Sequence, residues 1–373
     1  MKFKILAVCI SAIFLASCIQ DEALNSEAAI DACTGKDVQL SSINADSKVI
    51  SVYVHKGANL AQQKLSFVYP EGATLKINDP KPGDSETTYD FSTPPHSRFF
   101  TVNSEDGKWN STYEVRVIPT ELPSSFHFEG LLESPQYDIF YEFDPGTSQD
   151  ISKVLQWSSG NPGFELTKMA NSKEDYPTLQ TPNGYKGKAA KLVTRSTGSF
   201  GAMVKMYIAA GNLFIGSFNL GNALTNAPKA TTFGFQYYKR PVALKGYYKY
   251  KSGDIYTEGG VPQNGKKDKC DIYAIMYEAN DNSFMLDGSN ALTSDKLVSL
   301  ARIEPSSIVE NDAWTEFNLP FNAVGGKTID DQKLKDGKYK LAIVFSSSVD
   351  GAFFKGAVGS TLYIDEVEII SRD

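Results

Sequence analysis

The sequence is poor in the residues that build metal sites and membrane spans. It contains 4 Cys and 3 His, and no two histidines lie close together, so a histidine-based metal site is not expected. No apolar stretch is long enough to cross a membrane. Helical periodicity is nearly absent, and no G-x-S-x-G elbow, HExxH pair or phosphate-binding loop occurs. These absences argue against several well-marked enzyme classes and favour a β protein.

The N-terminal residues have the pattern of a lipoprotein signal. In residues 1–17, two lysines precede an apolar stretch, and LASC at 15–18 resembles a lipoprotein cleavage site. Cys18 is the predicted lipidation site, and residues 18–30 form a tether held at the membrane by lipid alone. An uncleaved or non-lipid signal is the alternative. Asp21 and Glu22 resemble a surface-export signal, which predicts the outer face of the outer membrane. A tether facing the periplasm is the other hypothesis.

The mature chain is predicted to be acidic. Removing residues 1–17 takes away two lysines and no acids, which leaves 35 basic and 44 acidic side chains and a net charge of −9. This balance argues against nucleic acid as a partner. Cys33 and Cys270 then remain, and they lie in different predicted domains. We interpret both thiols as structural, and a disulfide between them stays open.

The composition predicts an all-β protein with two domains. Short runs rich in Tyr, Phe, Thr and Val are broken by Gly, Pro, Asn and Asp. Residues 31–119 fit an immunoglobulin-like β-sandwich that spaces the next domain from the membrane, with a hairpin turn at Asp106-Gly107. Its strand candidates are 38–43, 49–55, 64–68, 74–77, 98–103 and 111–118. After a linker at 119–123, a second domain is predicted over residues 124–373.

Near the C-terminus, the alternation of side chains along a predicted strand would bury a charged residue. Residues 341–345 predict a buried strand, and residues 361–370 predict another. In a regular second strand, Asp365 shares the face of Val367 and Ile369. Because a bare buried charge is very costly, Asp365 needs a cation, several N–H donors or a β-bulge.

Several segments of the second predicted domain resemble one known family. They are WSSGNPG (157–163), YPTLQTPNGYKGKAAKLVTRSTG (176–198), AAGNLFIG (209–216), KRPVALKGYYKYKSGD (239–254) and SSSVDGAFFKGAVGSTLYID (346–365). Together they span roughly residues 124–370 and resemble the "putative carbohydrate metabolism" domains of Bacteroidetes surface lipoproteins. The resemblance implies a jelly-roll β-sandwich similar to carbohydrate-binding modules.

The resemblance also implies a metal site. In many carbohydrate-binding jelly rolls the first and last strands are neighbours, and a Glu near the start and an Asp in an IDxV segment help to bind structural calcium. Glu129 and Asp365 match these positions. Calcium, which takes several oxygen ligands, would also neutralise the buried Asp365. In the alternative, Asp365 caps the strand through backbone N–H groups or is solvated.

Sugar recognition needs flat apolar rings beside hydrogen-bonding groups. The candidate ligand-binding residues are Trp157, Asn161, Asn212, Tyr247, Lys249 and Asp350. Trp157 is the first predicted platform, because small residues follow it and open space near the ring. Tyr247 and Lys249 share a strand face that we predict to be wet, while Tyr248 and Tyr250 pack. Every aromatic candidate could instead be core, and Asp350 could instead cap a turn.

Three functions compete at this stage. The first is a module that binds a poly- or oligosaccharide, with neighbouring surface glycan-uptake proteins as further candidate partners. The second is a glycoside hydrolase, which needs two carboxylates about 5–10 Å apart. Candidate carboxylates are Asp254, Glu258, Asp271, Glu278, Glu304 and Asp350, and no spacing selects a pair. The third is an adhesion or structural surface protein.

Overall fold

The computed structural model describes residues 24–132, 134, 136–143 and 153–372. The predicted signal and Cys18 lie outside these ranges. The described chain is all-β, as predicted, and its α-helices are short. They are Asn161–Glu165, Gly198–Met203 and Asp331–Lys335. Within the described ranges, no helix is long and apolar enough to span a membrane.

Residues 24–119 form two sheets around a core of their own. The five-stranded sheet runs in the order Val38–Asn44, Val49–Val54, Asn110–Pro119, Ser97–Asn103 and Thr74–Ile77. The three-stranded sheet consists of Ala32–Gly35, Gln63–Val68 and Thr88–Tyr89. The six predicted strands are confirmed, and the first and last members of the smaller sheet were not predicted. Gly107 in the predicted hairpin turn has a φ of 67°, which favours glycine.

The remainder of the chain is built on two six-stranded sheets whose strand pairs are all antiparallel. The first sheet contains Thr178–Thr181, Ala189–Val193, Thr361–Arg372, Arg240–Lys251 and Asn311–Pro320, with Ser125–Phe126 beside the third of these. The second sheet contains Asn212–Phe214, Tyr339–Ser346, Asp271–Glu278, Leu297–Arg302 and Asn322–Ala323, with Phe235–Gln236 beside the second of these. Both sheets send alternate side chains into one core. The two sheets therefore pack face to face.

Shorter elements connect and cover these sheets. The remaining strands are Gly130–Leu132, Ile139–Phe143, Lys153–Gln156, Arg195–Ser196, Ile208–Ala209, Gly216–Phe218, Thr231–Phe233, Tyr256–Glu258, Val261–Pro262, Leu286–Asp287 and Gly356–Ala357. Single turns of 3₁₀-helix occur at Leu60–Gln62, Lys173–Asp175, Leu220–Asn222, Ala227–Ala230, Pro305–Ser307 and Gly351–Phe353.

A β-bulge interrupts the alternation of the last strand, Thr361–Arg372. Its register with Arg240–Lys251 shifts next to Tyr247, which pairs with Asp365, and Glu366 adopts a left-handed φ of 45°. The core residues on either side of the bulge are Leu362, Ile364, Val367 and Ile369. The extra residue thus lets both halves of the strand face one core. The first and last strands of this part pair with each other, as the resemblance implied.

The two cysteines are buried and unpaired. Cys33 lies in the core of residues 24–119, and Cys270 lies in the core between the two large sheets. The disulfide that the sequence left open is therefore not formed. Burial raises the pKa of both thiols, so neither is a reactive thiolate.

Two residues of the N-terminal sheet also reach the core between the large sheets. Leu40 and Tyr53 both belong to that core. The Tyr53 ring meets Phe235 edge to face at 6.0 Å, and its hydroxyl oxygen accepts a 2.8 Å hydrogen bond from the Gln156 N–H. The segment 119–123 therefore separates the sheets of the two parts, but side chains from both parts pack into one core.

Candidate functional site

The outward face of the second sheet forms the floor of a cavity of about 570 Å³. Phe214, Tyr273 and Val344 contribute to this floor from three adjacent strands. Loops and short helices supply the walls at 160–167, 197–206, 218–231, 288–293 and 348–354. The volume lies in the range of small-molecule sites, roughly 300–1,000 Å³.

One ion pair crosses the cavity floor. Arg302 donates from Nε to Asp271 Oδ1 at 3.0 Å and from Nη2 to Asp271 Oδ2 at 2.7 Å. Of the described residues that line the cavity, Asp271 alone carries a carboxyl group and Arg302 alone a positive charge. Burial raises the pKa of Asp271, while the hydrogen bonds from Arg302 act in the opposite direction. The ion pair therefore provides hydrogen-bond acceptors and donors on the floor, and its net charge is close to zero.

Aromatic rings also line the cavity. The Arg302 guanidinium carbon is 5.9 Å from the centroid of Tyr273, and Phe353 lines the cavity with 60% of its surface exposed. Such rings can pack against the C–H face of a sugar while the ion pair meets its hydroxyls. The sequence named Asp271 among six carboxylates, but it did not pair Asp271 with Arg302. That pairing depends on strand register, in which Tyr273 lies opposite Arg302.

Trp157 does not form the predicted platform. It is only 2% exposed and packs among Phe126, Phe128 and Phe345 at centroid distances of 5.2–5.9 Å. Its Nε1 donates a 2.9 Å hydrogen bond to Glu142. The prediction of a sugar platform at Trp157 is wrong, because the ring exposes too little surface for a sugar to stack on it.

Glu142 is a buried carboxyl group that the sequence analysis did not select. Besides Trp157, it accepts hydrogen bonds from the backbone N–H groups of His127 at 3.0 Å and Phe128 at 3.3 Å. Burial raises the pKa of Glu142 to about 7, against these hydrogen bonds. Its partners tie the start of the C-terminal part to Trp157, so we assign it a structural role.

Asn161 is also buried and paired. Its Nδ2 donates to the Thr178 carbonyl at 2.7 Å, and its Oδ1 accepts from the Thr178 N–H at 3.1 Å. Asn212 lines the cavity but uses its Oδ1 to accept the Gly160 N–H at 2.8 Å. The Asn161 amide thus joins its helix to the strand that begins at Thr178. The Asn212 amide holds the cavity wall at Gly160.

Asp350 lies beside the cavity rim, within a cluster of charges. Its Oδ2 accepts the Tyr256 hydroxyl at 2.8 Å and is 3.8 Å from Lys266 Nζ, which also bonds Glu258 at 2.6 Å. The structure thus brings together two of the candidate carboxylates. Lys266 lowers the pKa of Glu258, whereas a general acid needs a raised pKa. Asp350 makes no capping hydrogen bond to Gly351–Phe353.

Tyr247 and Lys249 lie on the outward face of the first sheet, away from the cavity. Tyr248 and Tyr250 are buried, as the alternation predicted. We call the surface around Tyr247 the aromatic face. It consists of Tyr185, Lys191, Tyr247, Lys249, Trp314 and Tyr363. The six candidate ligand residues therefore do not form one site.

Glu129 and Asp365 hold one turn, at residues 184–188. Glu129 Oε1 accepts the Lys188 N–H at 2.8 Å, and Asp365 Oδ2 accepts the Lys186 N–H at 2.9 Å. Asp365 Oδ1 accepts the Glu366 N–H at 2.8 Å. Calcium needs six to eight oxygen ligands, whereas these carboxylates face N–H groups. This donor set does not fit a calcium ion, and the buried charge of Asp365 has N–H partners instead.

Comparisons with known proteins agree with a carbohydrate-related role. A family model described as "Putative carbohydrate metabolism domain" matches residues 127–370. A structure from Bacteroides thetaiotaomicron, described as a "putative glycoside hydrolase", is 46% identical with a TM-score of 0.81 and covers 95% of this chain and 99% of its own. A structure from Bacteroides vulgatus with the same description is 44% identical with a TM-score of 0.62 and covers 68% and 100%. No protein with a curated description matches.

Proposed function

Because the chain belongs to the family of the "Putative carbohydrate metabolism domain", we propose that it binds a short stretch of glycan in the cavity of the second sheet. The observation that carries this proposal is the Asp271–Arg302 pair on a floor and walls that include aromatic rings. Sugar hydroxyls both donate and accept hydrogen bonds, so such a pair matches two neighbouring hydroxyls. A cavity of this volume with walls on several sides suits a chain end or an oligosaccharide.

Binding is a better match to the cavity than hydrolysis. A glycosidase of the usual kind uses two carboxyl groups across the scissile bond. Among the described residues that line the cavity, Asp271 is the one carboxyl group, and both of its oxygens accept hydrogen bonds from Arg302. We therefore assign Asp271 and Arg302 to ligand recognition. Asn212 keeps the wall in place.

The proposed cellular role follows from the N-terminal signal. A lipid on Cys18 would hold the protein at the outer membrane, with residues 31–119 as a spacer. Captured glycan would then stay close to the cell that takes it up. If the protein faced the periplasm instead, it would bind glycan that has already crossed the outer membrane.

A glycan panel tests the proposal with the chain from Ile19 onward. Retention and new reducing ends are scored in the same wells. We expect retention of at least one neutral oligosaccharide without product. Released product would overturn binding in favour of hydrolysis. No retention on any glycan would overturn it in favour of adhesion.

Phe353→Ala locates the site without disturbing the core. Phe353 is exposed and lines the cavity, so its loss should weaken glycan retention about 5- to 10-fold, as the loss of a stacked ring does. Phe99→Ala is the matched control, because Phe99 is 47% exposed in the N-terminal sheet. Equal glycan affinities of Phe353→Ala and Phe99→Ala would show that the glycan does not bind in the cavity.

A further inference from the structure

The aromatic face has a row of alternating cations and rings. Lys191, Tyr363 and Lys249 lie side by side on three neighbouring strands of the first sheet. The Nζ of Lys249 is 4.8 Å from the centroid of Tyr363 and 4.6 Å from that of Trp314. The Nζ of Lys191 is 5.8 Å from the centroid of Tyr363. Two ammonium groups are thus held close to one tyrosine ring.

A pair of stacked rings borders this row. Tyr185 and Tyr247 lie 3.7 Å apart at an angle of 9°, and the edge of Trp314 approaches Tyr185 at 6.4 Å. Tyr185 is 49% exposed. One face of Tyr185 covers Tyr247, and the exposed half of the side chain can pack against the C–H surface of a sugar.

The turn that carries Tyr185 is firmly positioned. Glu129 and Asp365 hold its backbone N–H groups, as described above. Gly187 has a φ of 69°, and a Cβ there would lie 2.0 Å from Glu129 Oε1. Only glycine lets the backbone approach the carboxylate this closely. The platform is therefore built into the sheet rather than carried on a free loop.

The two lysines of the row have no anionic partner. No described carboxylate lies within 4.0 Å of the Nζ of Lys191 or Lys249. Two nearby acids are engaged, Asp365 by backbone N–H groups and Glu366 by His127 at 3.0 Å. Asp312 is exposed on the neighbouring strand, and burial together with the charge of Asp312 raises the pKa of Tyr363. Exposed Glu316 lies opposite Tyr247, one row away from Lys249. In a chain with a formal net charge of −7, this face offers two lysines beside flat rings that form no close ion pair with a described carboxylate.

We propose that the aromatic face is a second carbohydrate site, selective for an acidic glycan whose uronate carboxylates bind Lys249 and Lys191 while a sugar ring packs on Tyr185. Carboxylates supply the charge that the two ammonium groups lack, and the rings recognise the pyranose. An open sheet face admits the middle of a long chain, whereas loops and short helices wall the cavity. This site does not depend on the cavity, which lies on the opposite sheet.

A matched pair of polymers tests the proposal. The chain from Ile19 onward is measured for binding to polygalacturonate and to its fully methyl-esterified form, which has the same backbone without carboxylate charge. We expect the acidic polymer to bind at least 10-fold more tightly and to weaken as salt rises from about 50 to 300 mM. Equal binding of the two polymers, or no binding of either, overturns the proposal.

Two variants and one control locate the site. Lys249→Met keeps a flexible side chain against the rings but removes the charge, and Tyr185→Ala removes the exposed ring. Each should weaken binding of polygalacturonate about 5- to 10-fold. Phe353→Ala should leave it unchanged, which separates this site from the cavity. If Phe353→Ala weakens binding while the first two variants do not, the acidic polymer binds in the cavity and the proposal fails.

Discussion

The cavity and the aromatic face use the two outward surfaces of one pair of sheets in opposite ways. The cavity is walled by loops, and the ion pair on its floor is satisfied internally. The aromatic face is bordered by the turn at 184–188, and no described carboxylate forms an ion pair within 4.0 Å with its two lysines. The strands beneath are alike in that both sheets fill the same core. The difference teaches that the connecting segments, rather than the sheets, decide whether an outward surface becomes a walled cavity or stays an open face.

The sharpest test of this contrast is the stability cost of removing a cation from each surface. Arg302→Leu leaves Asp271 buried without its partner and should lower the free energy of unfolding by about 3–5 kcal/mol. Lys249→Met loses one cation–π contact and should cost at most about 1 kcal/mol. Urea unfolding of both variants measures this. Similar losses of unfolding free energy would mean that both cations contribute equally to stability, and the contrast between the cavity and the aromatic face would not hold.

Gly187→Ala should damage one surface alone. The left-handed φ and the close approach to Glu129 predict a loss of about 2 kcal/mol in unfolding free energy. The displaced turn should weaken binding of polygalacturonate and leave retention of neutral glycan in the cavity unchanged. Gly83→Ala is a control, since Gly83 also has a positive φ but a Cβ there meets no atom within 4 Å. Loss of both activities would show that the two surfaces are coupled.

The turn beneath the aromatic face should also respond to pH. Burial raises the pKa of Asp365 to about 6 from its ordinary 3.8. Between these values the folded state holds the extra proton, so this contribution to stability is lost as pH rises through about 6. The stability advantage of the native chain over Asp365→Asn should shrink by about 1 kcal/mol between pH 5 and pH 7.5. An advantage that is constant or grows with pH would contradict the raised pKa.

The smallest expected effect concerns calcium. Because N–H groups already partner Glu129 and Asp365, we expect 5 mM calcium and 5 mM chelator to give melting temperatures within about 1 °C of each other. A clear drop with chelator in the native chain, absent in Asp365→Asn, would restore the calcium site that the resemblance implied. The aromatic face would then rest on a metal, unlike the cavity.

Local patterns predicted the strands well but left the sites open. Residues 98–103 alternate cleanly, and the strand Ser97–Asn103 is found there. For Asp365, the sequence set out three solutions, and the structure uses two of them, N–H donors and a bulge. The sequence could not select among the three, because the N–H donor from the turn at 184–188 is distant in sequence from Asp365. Tyr247 and Lys249 were placed on the correct face because period-two alternation is local.

Trp157 and the ion pair show what a single sequence does not reveal. The small residues after Trp157 suggested open space, but Phe126, Phe128 and Phe345 arrive from elsewhere in the chain and fill it. Asp271 and Arg302 are 31 residues apart and meet only through strand register. No spacing rule selects such pairs in an antiparallel fold.

The packing of Tyr53 against Phe235 limits how this protein can be taken apart. Residues from Ser124 onward contain both proposed glycan surfaces, which invites their use as an isolated affinity module. Cutting at 119–123 would remove Leu40 and Tyr53 from a shared interior and bare the apolar residues they cover. The N-terminal sheets thus cover part of the core that lies beneath both proposed glycan surfaces. A graft of that part onto another scaffold must carry them along.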